Sequence, residues 1–98
     1  MRIRVLDSAK NHLIDGYHFY EERESGLGTY YLDSLFSDID SLALFGGIHP
    51  IIFGFHRSLS KRFPFAIYYR LVGEEVGVHA VLDCRRRPSW IRRILRNS

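Results

Sequence analysis

Apolar and polar positions alternate most regularly between residues 63 and 84. One run places Phe63, Phe65, Ile67, Tyr69 and Leu71 on one side, and a second run does the same with Val76, Val78, Ala80, Leu82 and Cys84. A period of two is typical of half-buried strands. Gly73 lies between the runs and supplies the positive φ of a tight turn, centred on 72–73 or 73–74. The pattern predicts a β-hairpin whose apolar face is covered by helices.

The first half of the chain changes to helical spacing after a short strand, Met1–Leu6. Asp7 or Ser8 is the expected cap of a first helix, whose stripe is Ala9, Leu13, Tyr17 and Tyr20. After Gly26 a second stripe contains Leu32, Leu35, Phe36, Ile39, Leu42 and Ala43. Gly46 and Gly47 favour a left-handed end to this helix. We expect the two helices to form an antiparallel hairpin.

Two further elements complete the chain. The latter half of Ile51–Leu59 is predicted to be a strand, either at the sheet edge or bulged near Gly54. Pro88 suits the first turn of a final helix, which packs on the sheet through Trp90, Ile91, Ile94 and Leu95. The predicted class is α+β in the order β-α-α-β-β-β-α, with an antiparallel sheet, a two-helix hairpin on one face and a single domain over 1–98.

Composition restricts where the chain acts. The 98 residues suit one domain with one modest core. No apolar run is long enough for a membrane span, and the first residues lack the apolar centre of a signal peptide, so we expect a cytoplasmic protein with no membrane partner. Cys84 is the only cysteine, which excludes an internal disulfide. Its parity with Leu82 predicts a buried, inert thiol.

Charge is distributed unevenly although the formal net value is only +3. Acidic residues outnumber Lys and Arg through Asp40, whereas basic residues dominate from His56 onward, and the final segment CRRRPSWIRRILRN contains no acid. Such a field favours an acidic partner: nucleic acid, an enzyme that handles it, or an acidic protein. Arginines beside the only tryptophan favour a partner surface over a merely solvated tail.

Several kinds of chemistry lack the residues that they need. The five histidines are scattered without ligand spacing, and there is no cysteine pair, so we expect no metal site. There is no glycine-rich phosphate loop either. We therefore expect no cofactor and no small-molecule substrate.

Three segments together resemble a known family. They are Tyr17-x-x-Tyr20-Glu21-Glu22 followed by Gly26-Leu27-Gly28, the strand Arg62-Phe63-Pro64-Phe65-Ala66-Ile67-Tyr68-Tyr69-Arg70, and Arg85-Arg86-x-Pro88-x-Trp90. The chain resembles the RelE/ParE superfamily of toxins from bacterial type II toxin–antitoxin modules, most closely its ParE or plasmid-stabilisation branch. The resemblance implies a sheet with adjacent first and last strands, and a cognate antitoxin whose C-terminal segment wraps the toxin.

The resemblance implies two alternative activities, because this fold serves two targets. RelE-like members are described as endoribonucleases that cut mRNA in the ribosome, which needs a base, a cation and an acid. The candidates here are Arg57, Lys61, Arg62, Arg85 and Arg86, with His56 and His79 as proton carriers. However, Ala66 stands where that branch tends to carry an arginine, and Trp90 cannot exchange a proton at neutral pH.

The ParE-like alternative needs no catalysis, since these members are described as poisoning DNA gyrase by direct contact. The target-binding candidates are Arg62, Arg70, Arg85, Arg86, Arg87 and Trp90. The antitoxin is expected in a groove beside the helical hairpin, over Tyr17, Tyr20, Leu35 and Ile39. This non-enzymatic gyrase inhibitor is the leading hypothesis, and a third is an inactive toxin homologue retained as a binding module.

Some of these residues also have a purely structural explanation. Trp90 would cap the sheet edge, and Arg62 and Arg70 would pair with Glu74 or Glu75 across the hairpin.

Overall fold

Five strands form one sheet with helices on both faces in the computed structural model, which describes residues 1–98. The strands are β1 (Arg2–Val5), β2 (Ile51–Ile52), β3 (Phe55–Leu59), β4 (Phe65–Val72) and β5 (Glu75–Asp83), and the helices are α1 (Asp7–Arg23), α2 (Leu27–Asp40), α3 (Leu42–Phe45) and α4 (Pro88–Arg96). The predicted α+β class is confirmed, and the predicted order holds with the short β2 and α3 added. None of the helices combines the length and hydrophobicity that a membrane span requires.

The strand order is β1-β5-β4-β3-β2, so the first and last strands are adjacent as expected. β1 runs parallel to β5, while every other pair is antiparallel. The sheet is therefore mixed, and the prediction of a wholly antiparallel sheet is wrong for β1. α1 continues beyond β1 along β5, since Ser8 bonds to the His79 carbonyl and His12 bonds to the Val81 N–H further along the same strand.

A tight turn joins β4 to β5. Val72 pairs with Glu75, and Gly73 has a φ of 60°, so the turn is centred on residues 73–74. This selects the second of the two predicted registers. Gly supplies the positive φ without the steric cost that a side chain would add.

A β-bulge at His79 changes which face the second half of β5 presents. Tyr69 pairs with Val78 and Tyr68 pairs with Ala80, which leaves His79 unpaired. One extra residue reverses the alternation of side chains beyond it. The sequence pattern predicted that Ala80 and Leu82 share a face with Val76 and Val78. This prediction is wrong, because the bulge places the two pairs on opposite faces.

Each face of the sheet has its own core. Between the sheet and the α1–α2 hairpin lie Ala9, Leu13, Tyr31, Leu35, Ile39, Leu42, Phe65, Ile67, Tyr69, Val76, Val78 and Val81. On the opposite face lie Phe55, Ala66, Tyr68, Ala80, Leu82, Ile91 and Leu95, with Trp90 and Ile94 packed against them. The predicted packing of the final helix on the sheet is confirmed, and α4 covers the second face.

The turns around the helical hairpin use side chains in unexpected ways. α1 begins without a side-chain cap, because the Ser8 hydroxyl donates instead to the His79 carbonyl at 2.7 Å. The predicted Asp7 or Ser8 cap is therefore wrong. The Glu21 carboxylate accepts hydrogen bonds from the backbone N–H groups of Gly26 and Gly28, at 3.0–3.1 Å, and so holds the turn into α2. At the end of α3, Gly47 has the predicted left-handed conformation, with a φ of 102°.

The segment 51–59 forms a small hairpin of its own. Ile52 pairs with Phe55 across a two-residue turn, in which Phe53 and Gly54 have φ values of 54° and 83°. Two positive φ values are the signature of a type I′ turn, whose twist matches that of the flanking strands. Because β2 has only two residues, the second half of β3 forms the sheet edge.

Candidate partner-binding site

The arginine-rich segment 85–87 connects β5 to α4 and is anchored by Asp83. The Asp83 carboxylate accepts hydrogen bonds from Arg85 Nε at 3.0 Å, from its terminal nitrogen at 2.7 Å and from its backbone N–H at 2.8 Å. These bonds lower the pKa of the Asp83 carboxyl, against the opposing effect of burial. The Arg85 side chain remains 62% exposed. The ion pair therefore orients the side chain of Arg85 without removing it from the surface.

Arg86 lies beside the only tryptophan. Its guanidinium carbon is 4.5 Å from the Trp90 ring centroid, which is cation–π geometry. The start of α4 at Pro88 sets this spacing, because residues four apart lie close together where the chain enters a helix. The guanidinium and indole predicted to lie together at this end of the sheet are thus in direct contact.

A cavity of about 430 Å³ opens beside this pair. Its walls come from α1, β5 and α4 and include Gly16, Phe19, Asp83, Arg86 and Trp90. It lies along the part of β5 that β1 does not reach, since β1 pairs only as far as Val78. Trp90 is half-buried and forms one wall of this cavity, so it does more than cap the sheet edge.

The other predicted target residues do not all join this cluster. Arg70 pairs with neither Glu74 nor Glu75; its Nε donates to the Gly54 carbonyl at 3.3 Å, and its guanidinium carbon is 3.9 Å from the Phe55 ring centroid. Because Phe65 pairs with Asp83, Arg70 lies five residues along β4 from this end of the sheet. At a rise of about 3.3 Å per residue that is roughly 17 Å.

Lys61 and Arg62 lie on an exposed loop that α2 holds in place. The Asp38 carboxylate accepts hydrogen bonds from the Ser60 hydroxyl at 2.7 Å and from the Lys61 backbone N–H at 3.2 Å. Both basic side chains point outward, and no ion pair joins either to another residue, including the Glu74 or Glu75 predicted for Arg62. Asp38 is a positioning residue that the sequence pattern did not reveal, because it lies within the helical stripe of α2.

Arg57 lies on the α4 face of the sheet, opposite Tyr68. Burial raises the pKa of the Tyr68 hydroxyl, and the nearby Arg57 charge partly opposes that rise. The Nε atom of Arg57 is buried without a hydrogen-bond partner.

The two predicted proton carriers do not share a site. His56 stacks on Tyr69 at 5.0 Å, on the helical-hairpin side, and its Nδ1 is 2.8 Å from the His49 carbonyl oxygen. His79 occupies the bulge, where burial, and then the charges of Arg70 and Arg4, lower its pKa. Since the centre of the α4 face is filled with apolar side chains, the structure does not assemble a base, a cation and an acid around one open site.

The four predicted antitoxin contacts fall into two groups. Tyr17 and Tyr20 are half-buried on α1, whereas Leu35 and Ile39 are 0% and 1% exposed. The antitoxin role of all four stays a prediction, but Leu35 and Ile39 face the sheet, so a partner does not touch these two directly. They can support such a site only from the core.

Cys84 differs from its prediction as well. It is exposed because it lies just beyond the end of β5, so the prediction of a buried thiol is wrong although Leu82, on which its parity rested, is buried. Partial burial of the sulfur still raises the pKa of the Cys84 thiol.

Comparison with known proteins adds a fold relationship. No family model matches the sequence, and no curated protein matches it either. The mixed sheet, with a helical hairpin on one face and a C-terminal helix on the other, defines a fold of the ParE toxin type. The chain superposes on one in a solved structure described as "Chromosomal ParDE TA system from P. aeruginosa" with a TM-score of 0.70, covering 83% of this chain and 92% of that one at 20% identity. The fold implied by the RelE/ParE resemblance is therefore confirmed.

Proposed function

We propose that this chain is the toxin of a type II toxin–antitoxin module, that it inhibits DNA gyrase by direct binding in the cytoplasm, and that a cognate antitoxin neutralises it. The carrying observation is the Arg86–Trp90 pair, with the exposed Arg85 beside it, at the mouth of a cavity. Arginine and tryptophan are the residue types most often found as energetic anchors of interfaces. The fold shared with a ParDE system supports the same function.

A binding mechanism suits this surface better than a catalytic one. Ile91 and Leu95 of α4 lie on the sheet face where Ala66 replaces the family arginine. An RNA strand entering there would have to displace the helix and expose its apolar side chains, at a cost of about 25 cal/mol for each Å². The Arg86–Trp90 surface needs no such rearrangement to meet an acidic protein.

We place the antitoxin across the helical hairpin, over Tyr17 and Tyr20, with its acidic residues reaching the arginines after β5. Glu21 next to Tyr20 is engaged by backbone N–H groups, so it does not compete for those arginines. An antitoxin bound there would cover the cavity wall formed by α1 and α4. Neutralisation then follows from direct competition with gyrase for Arg86 and Trp90.

A gyrase supercoiling assay with the purified chain tests the proposed target. We expect inhibition by the native chain and its loss in the double variant Arg86→Ala/Trp90→Ala. Arg93→Ala removes an exposed arginine of the same helix that lies outside the cavity, and should inhibit like the native chain. Arg85→Ala should weaken inhibition less than the double variant, because its guanidinium is already engaged by Asp83.

Three outcomes would contradict the proposal. Normal supercoiling at excess folded chain would exclude gyrase as the target. New cuts in ribosome-bound message, mapped by primer extension, would assign the chain to the mRNA endonucleases instead. Unimpaired growth on induced expression without an antitoxin would indicate an inactive homologue that serves as a binding module.

A further inference from the structure

A second cavity of about 390 Å³ lies at the other end of the α4 face, between the β2–β3 turn, the end of β4 and the last turns of α4. It is lined by Phe53, Phe55, Arg70, Arg92, Leu95, Arg96 and Ser98. Three arginines and no acid contribute side chains to it. The one ion pair between side chains joins Arg85 to Asp83 at the opposite end of the sheet, so no Asp or Glu side chain pairs with these three guanidinium groups.

The geometry of Arg70 leaves most of its hydrogen-bonding capacity unused. Its plane lies over Phe55 at 3.9 Å, and only Nε has an acceptor, the Gly54 carbonyl. The two terminal nitrogens have no partner within the protein. A guanidinium held by a ring on one side presents a fixed pair of donors, which matches the oxygens of a phosphate. The Arg92 guanidinium carbon lies over the Phe53 ring, 5.6 Å from its centroid, and Arg92 has no ion pair within the protein.

Phe53 is an unusual residue for its position. Its φ of 54° places it in the left-handed region, where Asn or Gly is the usual choice for the first residue of this turn type. A bulky aromatic residue is strained there, and its ring is nonetheless 42% exposed beside the cavity. An exposed flat ring next to unneutralised arginines is the arrangement used to stack a nucleobase beside its phosphate.

We propose that this second cavity, which we call the Phe53–Arg92 cavity, binds a nucleoside monophosphate, with the base on Phe53 and the phosphate on Arg70, Arg92 and Arg96. The ligand is bound and not converted. The cavity shares no lining residue with the one beside Arg86 and Trp90, so the site is separate from the proposed gyrase surface and does not depend on it. A phosphomonoester carries nearly two negative charges and three acceptor oxygens, which suits three arginines better than the single charge of an acidic side chain. The volume is within the range of small-molecule sites.

Calorimetric titration of the full chain with adenosine 5′-monophosphate tests this inference. We expect binding, weakened at least about fivefold when the base is removed (ribose 5-phosphate) and at least about tenfold when the phosphate is removed (adenosine). The double variant Arg92→Gln/Arg96→Gln should lose about tenfold or more in affinity. Arg93→Gln is the matched control on the same helix, and should bind within about twofold of the native chain because Arg93 does not line the cavity.

Phe53→Asn separates the ligand role from the fold. Asn suits the left-handed turn, so thermal melting should be unchanged or higher, while affinity for adenosine monophosphate falls and affinity for ribose 5-phosphate stays the same. His79 supplies an independent signal, since its ring lies 5.2 Å from that of Phe55 and responds to the charge of Arg70. A bound phosphate should shift the His79 NMR titration to higher pH.

One further titration distinguishes a free nucleotide from the phosphorylated end of a nucleic-acid strand. Tighter binding of a 5′-phosphorylated oligoadenylate than of the free monophosphate would identify a strand end as the ligand, and the reverse order would identify a free nucleotide; both fit the proposed chemistry. The inference is overturned if the native chain does not bind the monophosphate, if inorganic phosphate binds equally well, if an acidic peptide binds more tightly, or if Arg93→Gln weakens binding as much as the double variant.

Discussion

Replacing Gly16 of α1 by alanine should destabilise the protein, although the same change in an exposed helix usually stabilises it. Gly16 is buried where α1 crosses α2. A Cβ atom built there would lie 2.3 Å from the Tyr31 hydroxyl oxygen and 2.4 Å from the ring carbon that bears it. Optimal separations for non-bonded carbon atoms are about 3.5–4.0 Å, so the helix or the ring has to move by about 1 Å or more.

The magnitude depends on two opposing contributions. Helix propensity favours alanine over glycine by about 1 kcal/mol. Overpacking a well-filled core costs about 1–3 kcal/mol and occasionally more. Tyr31 is 0% exposed, and its ring centroid lies 5.1–5.3 Å from those of Tyr20, Phe63 and Phe65, so it cannot rotate away into solvent. We therefore expect the upper part of that range, and a net loss of about 1–2 kcal/mol.

Urea unfolding followed by circular dichroism measures this loss. Gly77→Ala is the control, because its Cβ would meet no atom closer than 3.6 Å, and alanine there should be neutral or stabilising by about 0.5 kcal/mol. Tyr31→Leu removes all three clashing atoms, so Gly16→Ala made in that background should no longer destabilise, giving a coupling of at least about 1 kcal/mol. Equal stability of Gly16→Ala and the native chain would refute the inferred close packing.

Three more predictions concern pH, a buried hydrogen bond and the thiol. Burial lowers the pKa of His12, whose Nδ1 accepts a hydrogen bond from the Val81 N–H. Because the unfolded chain takes up the proton first, the free energy of unfolding should fall as pH drops below about 6.5. Urea midpoints at about pH 8 and 5 should show this fall, and it should be less steep in His12→Gln. Tyr69→Phe should cost about 1–3 kcal/mol of unfolding free energy, because the hydroxyl accepts from the Gly47 N–H at 2.8 Å, and an unchanged urea midpoint would contradict this. Cys84 should react with a thiol reagent in the folded chain, although more slowly than a model thiol at pH 7 because its pKa is raised; no labelling without denaturant would show that it is buried.

Periodicity predicted the fold wherever side-chain spacing alone determines the structure. The β4–β5 hairpin, the two-helix hairpin and α4 follow directly from their apolar patterns. The bulge at His79 did not, because alternation continues through Ala80 and Leu82 as though no residue had been added. The alternation reverses where Ala80 and Leu82 pack against α4. The position of α4 on the sheet is a property of the folded molecule, so the spacing of apolar residues in β5 does not reveal it.

The candidate site was predictable to a similar extent. The contact between Arg86 and Trp90 follows from their separation of four residues at the start of a helix. Asp83 and Arg85 are two residues apart at the end of a strand, and this spacing does not by itself predict an ion pair. Leu35 and Ile39 were assigned to a partner because a helical stripe alone does not distinguish a face that meets the sheet from one that meets another protein.

The unpaired residue at position 79 also gives this strand one change of length that the fold can absorb. Deleting His79 alone would leave Ala80 and Leu82 facing α4 and Val81 facing the helical hairpin, because Val78 and Ala80 would become consecutive partners of Tyr69 and Tyr68. Deleting a paired residue further along β5, such as Val81, would instead move Leu82 to the opposite face, because the side chains alternate there. Relatives of this chain should accordingly differ in the length of this strand at position 79 more often than beyond it.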